Sequence, residues 1–397
     1  MASLPGDSWA VRLTALFVRC CGFWAEDTKF GRKAMDVIVT YSLIALLFAF
    51  CVTSNDLYNC YGDFDRFTYC GLNVVTVGFG FYKLVAFSMK RRMFLHLIYY
   101  AKKNFWFCDY DEYGTEVMNG CMKRCLGIII FAVFMCHLTI IIHYIKPLIA
   151  NQGMNESDRI LPFQLWIDLP VTLTPWYEIL YIIEMFSGYH CCICYFCFDN
   201  FLCQINITLV GQFLILQKEF RSIYDERFAL MSKDESYIHA RLIKCVEKHQ
   251  ALIAFTEKVK ELYRDVILGV VVLLSLLICL ELFQLMTTVG EMLARIHYCV
   301  YAGGSIAQLY FFALTCNDLT EASLAISNAA YDVRWFLMKS ADKKNALVKD
   351  LQTVIMRSQK ACSLTVGGFA PVTLMTFTSI CNRAFSFLTL MRQSLDY

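Results

Sequence analysis

The chain has 397 residues, of which 58% are hydrophobic and 18% are charged, and its mean hydropathy is +0.49. Soluble domains contain about 45–50% apolar and about 25% charged residues, so this composition excludes an ordinary soluble domain and indicates a membrane protein. The formal net charge of +2 argues against a nucleic-acid-binding protein. The first 33 residues lack the pattern of a cleavable signal peptide.

Seven stretches are apolar over the length of about 20 residues that a helix needs to cross a bilayer. They are residues 34–54, 69–89, 125–146, 176–200, 266–290, 296–316 and 364–391. The fourth stretch contains the acidic residues Glu178, Glu184 and Asp199, and we expect it to continue as a helix toward residue 217. The sequence therefore predicts an all-α membrane protein with seven transmembrane helices.

Lys and Arg residues indicate the orientation of these spans. Of the 36 in the chain, 29 fall in residues 1–33, 90–124, 218–264 and 317–363, and only five lie on the opposite side. Because Lys and Arg are enriched in cytoplasmic loops, we predict a cytoplasmic N-terminus and an extracellular C-terminus. Residues 218–264 and 317–361 show helical apolar periodicity, so we expect cytoplasmic helices there.

Two glycosylation sequons fall on different sides of this topology. The first, at Asn155, lies in the predicted extracellular loop 147–175, where a glycan can be attached. The second, at Asn206, lies at the inner end of the fourth span and is expected to be silent.

The 20 cysteines fall mostly within apolar runs such as HCCICYFC at residues 190–197. In such a setting Cys behaves as a small hydrophobic residue, and neighbours on one helix cannot form a disulfide framework. We therefore expect neither a metal site nor a cofactor.

The sequence lacks the characteristic features of G-protein-coupled receptors, transporters and membrane enzymes. A G-protein-coupled receptor has the opposite orientation, and the third and seventh spans lack the motifs of that family. The sequence shows no internal repeat of the kind found in transporters, and no His cluster, phosphate loop or Ser nucleophile motif of an enzyme.

The C-terminal part of the chain carries a specific resemblance. The segments AAYDVRWF (329–336) and LQTVIMRSQKACSLTVGGF (351–369), followed by the last span, resemble the insect odorant receptor family. The resemblance covers essentially the whole chain and is strongest over 317–393. The short second cytoplasmic loop is similar to that of a tuning subunit rather than to the co-receptor of the family.

This resemblance implies an odorant-binding subunit of a ligand-gated, non-selective cation channel for small hydrophobic odorants. The subunit is expected in the plasma membrane of a sensory neuron dendrite, in contact with lipid and in a heterotetramer with co-receptor subunits. A homomeric channel, a gustatory-type receptor and a membrane transporter remain alternatives. The cytoplasmic N-terminus then comprises residues 1–33, and the six-helix bundle with the ligand pocket comprises residues 34–316. The cytoplasmic anchor helices comprise residues 317–361, and the last, pore-lining helix with its tail comprises residues 362–397.

The last span has a polar stripe at alternating steps of three and four residues, which lie on one helix face. Its members are Thr376, Ser379, Arg383, Ser386, Leu390 and Gln393. A polar stripe in a span faces protein or water, so it lines either a helix contact or a water-filled pore. In the family, Leu390 and Gln393 match the gate at the outer end of the pore, where this chain continues with Ser394.

Charged and flexible residues within the spans give three further predictions. Arg383 is expected either to pair with a carboxylate, for which Glu281 is the candidate, or to have its charge diluted by the residues of partner subunits. Lys83 is expected to pair with Glu184. Gly367-Gly368 and Pro371 predict a break between a cytoplasmic helix, at about 346–361, and the last transmembrane helix.

Aromatic residues and a few polar residues in the outer halves of spans two, three, four and six are candidates for a ligand pocket. Ordinary core packing is the alternative for each of them. In the family the pocket lies among these helices, and the candidates are Phe79, Tyr82, Met135, His137, Ile141, Phe186, Tyr189, Tyr298 and Tyr301.

Overall fold

The computed structural model describes residues 4–165, 170–224, 236–288, 292–338 and 340–395, with the backbone alone for 391–395. Ten α-helices account for most of this part of the chain. They are α1 (Trp9–Cys20), α2 (Lys29–Asn59), α3 (Phe64–Met89), α4 (Arg91–Ala101), α5 (Glu112–Ala150), α6 (Trp176–Arg221), α7 (Ser236–Thr287), α8 (Met292–Tyr331), α9 (Ala341–Ser358) and α10 (Leu374–Leu395).

Short elements complete the described chain. Turns of 3₁₀-helix lie at Pro5–Asp7, Glu156–Asp158 and Trp335–Leu337, and a π-helical turn follows α4 at Lys102–Trp106. One two-stranded antiparallel ladder pairs β1 (Thr365–Val366) with β2 (Ala370–Pro371).

Six of the described helices, α2, α3, α5, α6, α7 and α8, are long and apolar enough to cross a membrane. Five of them contain the predicted spans 34–54, 69–89, 125–146, 176–200 and 296–316, and α7 contains the span 266–290 up to Thr287, while residues 289–290 lie outside the described residues. The prediction of an all-α membrane fold is confirmed. The fourth span indeed continues in one unbroken helix, because α6 ends at Arg221.

The seventh predicted span starts too early in the sequence. Its first residues, from 364, form the β1–β2 hairpin, and α10 begins only at Leu374. Gly367 has a φ angle of 58° and Gly368 of 92°, which a helix cannot accommodate and which glycine adopts without a steric penalty. The predicted break between α9 and α10 is therefore present, as a hairpin.

The helix α6 forms the centre of the bundle. Its second half, from Cys194 to Phe220, is almost wholly buried against α8, α5, α3 and α7. Phe198 stacks on Phe87 of α3 with ring centroids 4.3 Å apart, and Phe94 of α4 and Tyr263 of α7 pack around this pair. Burial of these large rings forms an aromatic core at this end of the bundle, next to α1 and α4.

Candidate ligand-binding site

A cavity of about 720 Å³ lies in the half of the bundle away from this aromatic core. Helices α2, α3, α5, α6 and α8 and the connection between α5 and α6 provide its walls. Most of the wall is apolar, with side chains such as Ile44, Phe48, Val77, Ile128 and Phe311. Its size falls within the range of about 300–1,000 Å³ that is usual for small-molecule sites.

The residues of α6 reach the cavity because they share one helix face. Glu184, Gly188, Tyr195 and Asp199 are separated by four, seven and four residues, which brings them onto one stripe. Gly188 has no side chain at the point where the hydroxyl of Tyr144 approaches the helix. The stripe therefore places two carboxylates at different depths of the same cavity.

Polar side chains gather at the end of the cavity where α5 ends and α6 and α8 begin. Glu184 accepts a hydrogen bond from the backbone N–H of Phe163 at 3.1 Å, and Tyr144 donates its hydroxyl to the Glu184 carbonyl oxygen at 2.6 Å. The rings of His143 and His297 lie 5.8 Å apart. Glu184 Oε1, His143 Nε2 and His297 Nδ1 are buried and have no hydrogen-bond partner among the described residues.

An ion pair forms the opposite end of the cavity. Lys83 Nζ is 2.6 Å from Asp199 Oδ2 and donates to the carbonyl oxygen of Tyr195 at 2.8 Å. It also lies 3.9 Å from the ring centroid of Phe79, and Gln308 donates to the same Asp199 oxygen. The predicted Lys83–Glu184 pair is wrong. Glu184 lies 15 residues, about 22 Å, from Asp199 toward the N-terminus of α6, and is therefore far from Lys83.

A second group of polar residues joins α3, α7 and α8 along one wall. Thr76 and Tyr301 are hydrogen-bonded through their hydroxyl groups, and Ser305 donates to Glu281 Oε1 at 2.7 Å. The predicted Glu281–Arg383 pair is also wrong, because Glu281 is fully buried inside the bundle. Arg383 lies on the exposed face of α10 and forms no ion pair with any residue that the structure describes.

Cysteines contribute to the walls as well. Cys136 of α5 and Cys192 of α6 are joined by a disulfide, and both line the cavity. The expectation that cysteines in the run at 190–197 act only as small hydrophobic residues is therefore wrong for Cys192. Its partner comes from another helix, which spacing along a single run cannot reveal.

Two of the nine predicted ligand residues, Met135 and Tyr301, line the cavity. Tyr298 lies beside it, in a smaller pocket that also contains His143 and His297. The other six lie outside both pockets. Phe79 is buried against Lys83 and Tyr195, and Tyr82 donates a hydrogen bond to the carbonyl oxygen of Asp265. The remaining four lie on outward faces of α5 and α6: His137, Ile141, Phe186 and Tyr189.

The helix α10 lies apart from the cavity and packs on α7 and α8 with one face only. Ile380 and Ala384 are buried on that face, and Phe377 meets Tyr310 of α8 with ring centroids 5.5 Å apart. On the remaining surface Leu390 is 64% exposed, and the hydroxyl of Ser386 donates to the carbonyl oxygen of Asn382.

The other predicted pore residues complete this description. Thr376 is half-buried and Ser379 is exposed, like Arg383. The side chains of Gln393 and Ser394 lie outside the described residues. Asn155 is exposed in the connection between α5 and α6, directly before the 3₁₀ turn.

The helical bundle and its cavity define a class: a multi-span membrane protein with a site for a small, mostly apolar molecule. A sequence profile described as "7tm Odorant receptor" matches residues 72–385. The chain belongs to this odorant receptor family.

Individual relatives agree with this assignment. Odorant receptor 10 of Aedes albopictus is 26% identical over 241 residues, which are 60% of this chain and 62% of that protein. Odorant receptor 30a of Drosophila melanogaster is 28% identical over 242 residues, which are 60% of each chain. The matched region thus spans about three fifths of the length of these two relatives.

Solved structures show the same fold. The insect olfactory receptor OR5 from Machilis hrabei superposes with a TM-score of 0.81 at 14% identity, over 97% of each chain. The structure of that receptor in complex with eugenol has a TM-score of 0.82 at 16% identity, over 97% of this chain and 98% of that one.

Proposed function

We propose that this chain is the odorant-binding subunit of a ligand-gated, non-selective cation channel in the plasma membrane, and that it acts together with a co-receptor. The cavity of about 720 Å³ between α2, α3, α5, α6 and α8 is the observation that carries this proposal. Membership of the odorant receptor family and the relative solved with eugenol support it.

The walls favour a ligand with an apolar body and one or two polar groups. Burial of apolar area contributes about 25 cal/mol per Å² to binding. The buried atoms Glu184 Oε1, His143 Nε2 and His297 Nδ1, which have no partner among the described residues, provide hydrogen-bonding positions at one end. A buried polar group left without a partner costs about 1–3 kcal/mol. A ligand hydroxyl or amine that reaches Glu184 Oε1 removes this penalty and fixes the orientation of the molecule. Met135 and Tyr301 are the predicted contacts that we retain.

The helix α8 connects the cavity to α10. Tyr301, Ser305 and Gln308 of α8 face the cavity, and Tyr310 of the same helix packs on Phe377 of α10. We propose that ligand binding shifts α8 and that this contact transmits the shift to α10.

The exposed face of α10 is suited to line a pore that several subunits form together. Its polar stripe, which includes Ser379, Arg383 and Ser386, is not covered by any described part of the chain. Four such helices around an axis, those of the co-receptor subunits included, enclose a water-filled path, and Leu390 contributes to the hydrophobic constriction that closes it. In the sequence the predicted stripe ends with Gln393, and Ser394 follows it toward the predicted extracellular end.

Current recording tests the proposal directly. Cells that express this chain, alone or with an insect co-receptor, are exposed to a broad odorant panel while whole-cell current is measured. We expect cation current only in co-expressing cells. Current from the chain alone would indicate a homomeric channel, and surface protein without current under any odorant of the panel would count against the channel function.

A further inference from the structure

The connection between α2 and α3 brings three metal-ligating side chains together. Asp56 lies in the last turn of α2, Cys60 directly follows that helix, and Cys70 lies in the second turn of α3. The exposed fraction is 3% for Cys60 and 2% for Cys70, and 13% for the side chain of Asp56. The donor atoms therefore meet in a space with little access to solvent.

The distances match those around one small cation. The Sγ atoms of Cys60 and Cys70 are 3.4 Å apart, Cys70 Sγ is 3.3 Å from Asp56 Oδ2, and Cys60 Sγ is 3.7 Å from Asp56 Oδ1. In a tetrahedral zinc site, bond lengths of about 2.3 Å to sulfur and about 2.1 Å to oxygen place neighbouring donors about 3.6–3.8 Å apart. Small side-chain adjustments thus bring all three donors onto one ion.

The charge of the surroundings suits such an ion. Two thiolates and one carboxylate exceed the charge of a divalent cation by one negative charge. Arg66 supplies a positive charge, with Nη2 4.0 Å from Asp56 Oδ1, and it is held in place by a hydrogen bond to Gln164. Partners of this kind orient the ligands of metal sites and support their affinity.

We infer that Asp56, Cys60 and Cys70 bind a thiophilic divalent cation of the zinc class, with a water molecule in the fourth position. Such an ion joins the end of α2 to α3. Asn73 and Val77, one and two turns further along α3, line the ligand cavity. The ion therefore restrains one wall of the cavity, which makes the site suited to regulate ligand binding from the predicted extracellular side.

Cobalt(II) provides a direct test in the full-length chain, purified in detergent under reducing conditions. We expect one Co²⁺ per chain with a near-ultraviolet thiolate-to-cobalt charge-transfer band, and displacement of the ion by Zn²⁺. The band should be lost in Cys60→Ser and in Cys70→Ser. Cys51→Ser should keep it, because Cys51 is an exposed cysteine on the same helix. Circular dichroism and gel filtration verify that each variant is folded.

The Asp56→Asn variant serves as a second measure that leaves both thiols in place, and we expect its Co²⁺ affinity to fall at least about 10-fold. The inference is overturned if the reduced wild-type chain shows no thiolate band, or if Cys60→Ser keeps the full band. Peptide mapping of protein taken from membranes without reductant is the second check, and a Cys60–Cys70 disulfide there would also overturn it. These readouts do not depend on odorant-evoked current.

Discussion

Removal of the Lys83 charge is expected to destabilise the bundle strongly. Lys83 is fully buried and Asp199 is 6% exposed, so Lys83→Met leaves a carboxylate inside the protein, with Gln308 as its remaining side-chain donor among the described residues. Breaking a buried ion pair on one side costs about 3–5 kcal/mol. With an unfolding entropy of about 2.1 cal/mol/K per residue, a chain of 397 residues loses about 4–6 °C in Tm.

The matched control removes both charges. In the double variant Lys83→Met/Asp199→Leu no unpaired charge is buried, and replacement of a buried pair by apolar residues is often neutral or stabilising. We therefore expect its Tm to return to within about 2 °C of the wild-type value, a shift of roughly 2 kcal/mol or less.

Thermal unfolding in detergent, followed by gel filtration with fluorescence detection, measures both effects. A Lys83→Met chain as stable as the wild type would show that the ion pair at the end of the cavity contributes no net stability. A double variant less stable than the single variant would show that packing around Lys83, and not its charge, dominates.

Three further predictions concern ligand, gate and topology. Met135→Ala removes apolar contact from the cavity wall and should raise the odorant EC50 about 10-fold, whereas Phe186→Ala, at a 68% exposed position on the outer face of α6, should leave dose–response curves unchanged. Leu390→Ser should increase the current in the absence of odorant at least about 3-fold, because a polar residue lets water into the constriction. Met375→Ser, also at an exposed position on α10, should leave this current unchanged. Equal basal currents in Leu390→Ser and the wild type would refute the gate. Asn155→Gln should abolish a glycosidase-sensitive shift in gel mobility, and an unshifted wild-type chain would contradict the predicted glycan.

The sequence predicts the transmembrane helices well because each needs a long apolar run, which composition alone reveals. It predicts the cavity less well because residue type alone does not show which helix face a side chain occupies. On α5 the cavity is lined by Met135, Thr139 and His143, at intervals of four residues. The predicted His137 and Ile141 are each two residues away, which is about 200° around the helix and therefore on the opposite side.

Polar residues of the spans were missed for a related reason. The sequence offers both Glu184 and Asp199 on α6 as partners for Lys83, and only the fold shows that Asp199 lies next to that lysine. The regular spacing of Glu184, Gly188 and Tyr195 on α6 is the signal that could have identified this wall. The paired glycines at 367–368 marked the break before α10, but a hydropathy window averages over them and extends the span.

The helix α8 has a mechanical consequence. It is one helix of 40 residues, about 60 Å long; residues from His297 to Phe311 line the cavity, and Tyr310 within this stretch contacts α10. A tilt of α8 by about 3° about its first turn moves Tyr310, which lies about 27 Å along the helix, by about 1.4 Å. In the proposed channel, a small tilt of α8 at the ligand therefore reaches α10 directly through the contact of Tyr310 with Phe377.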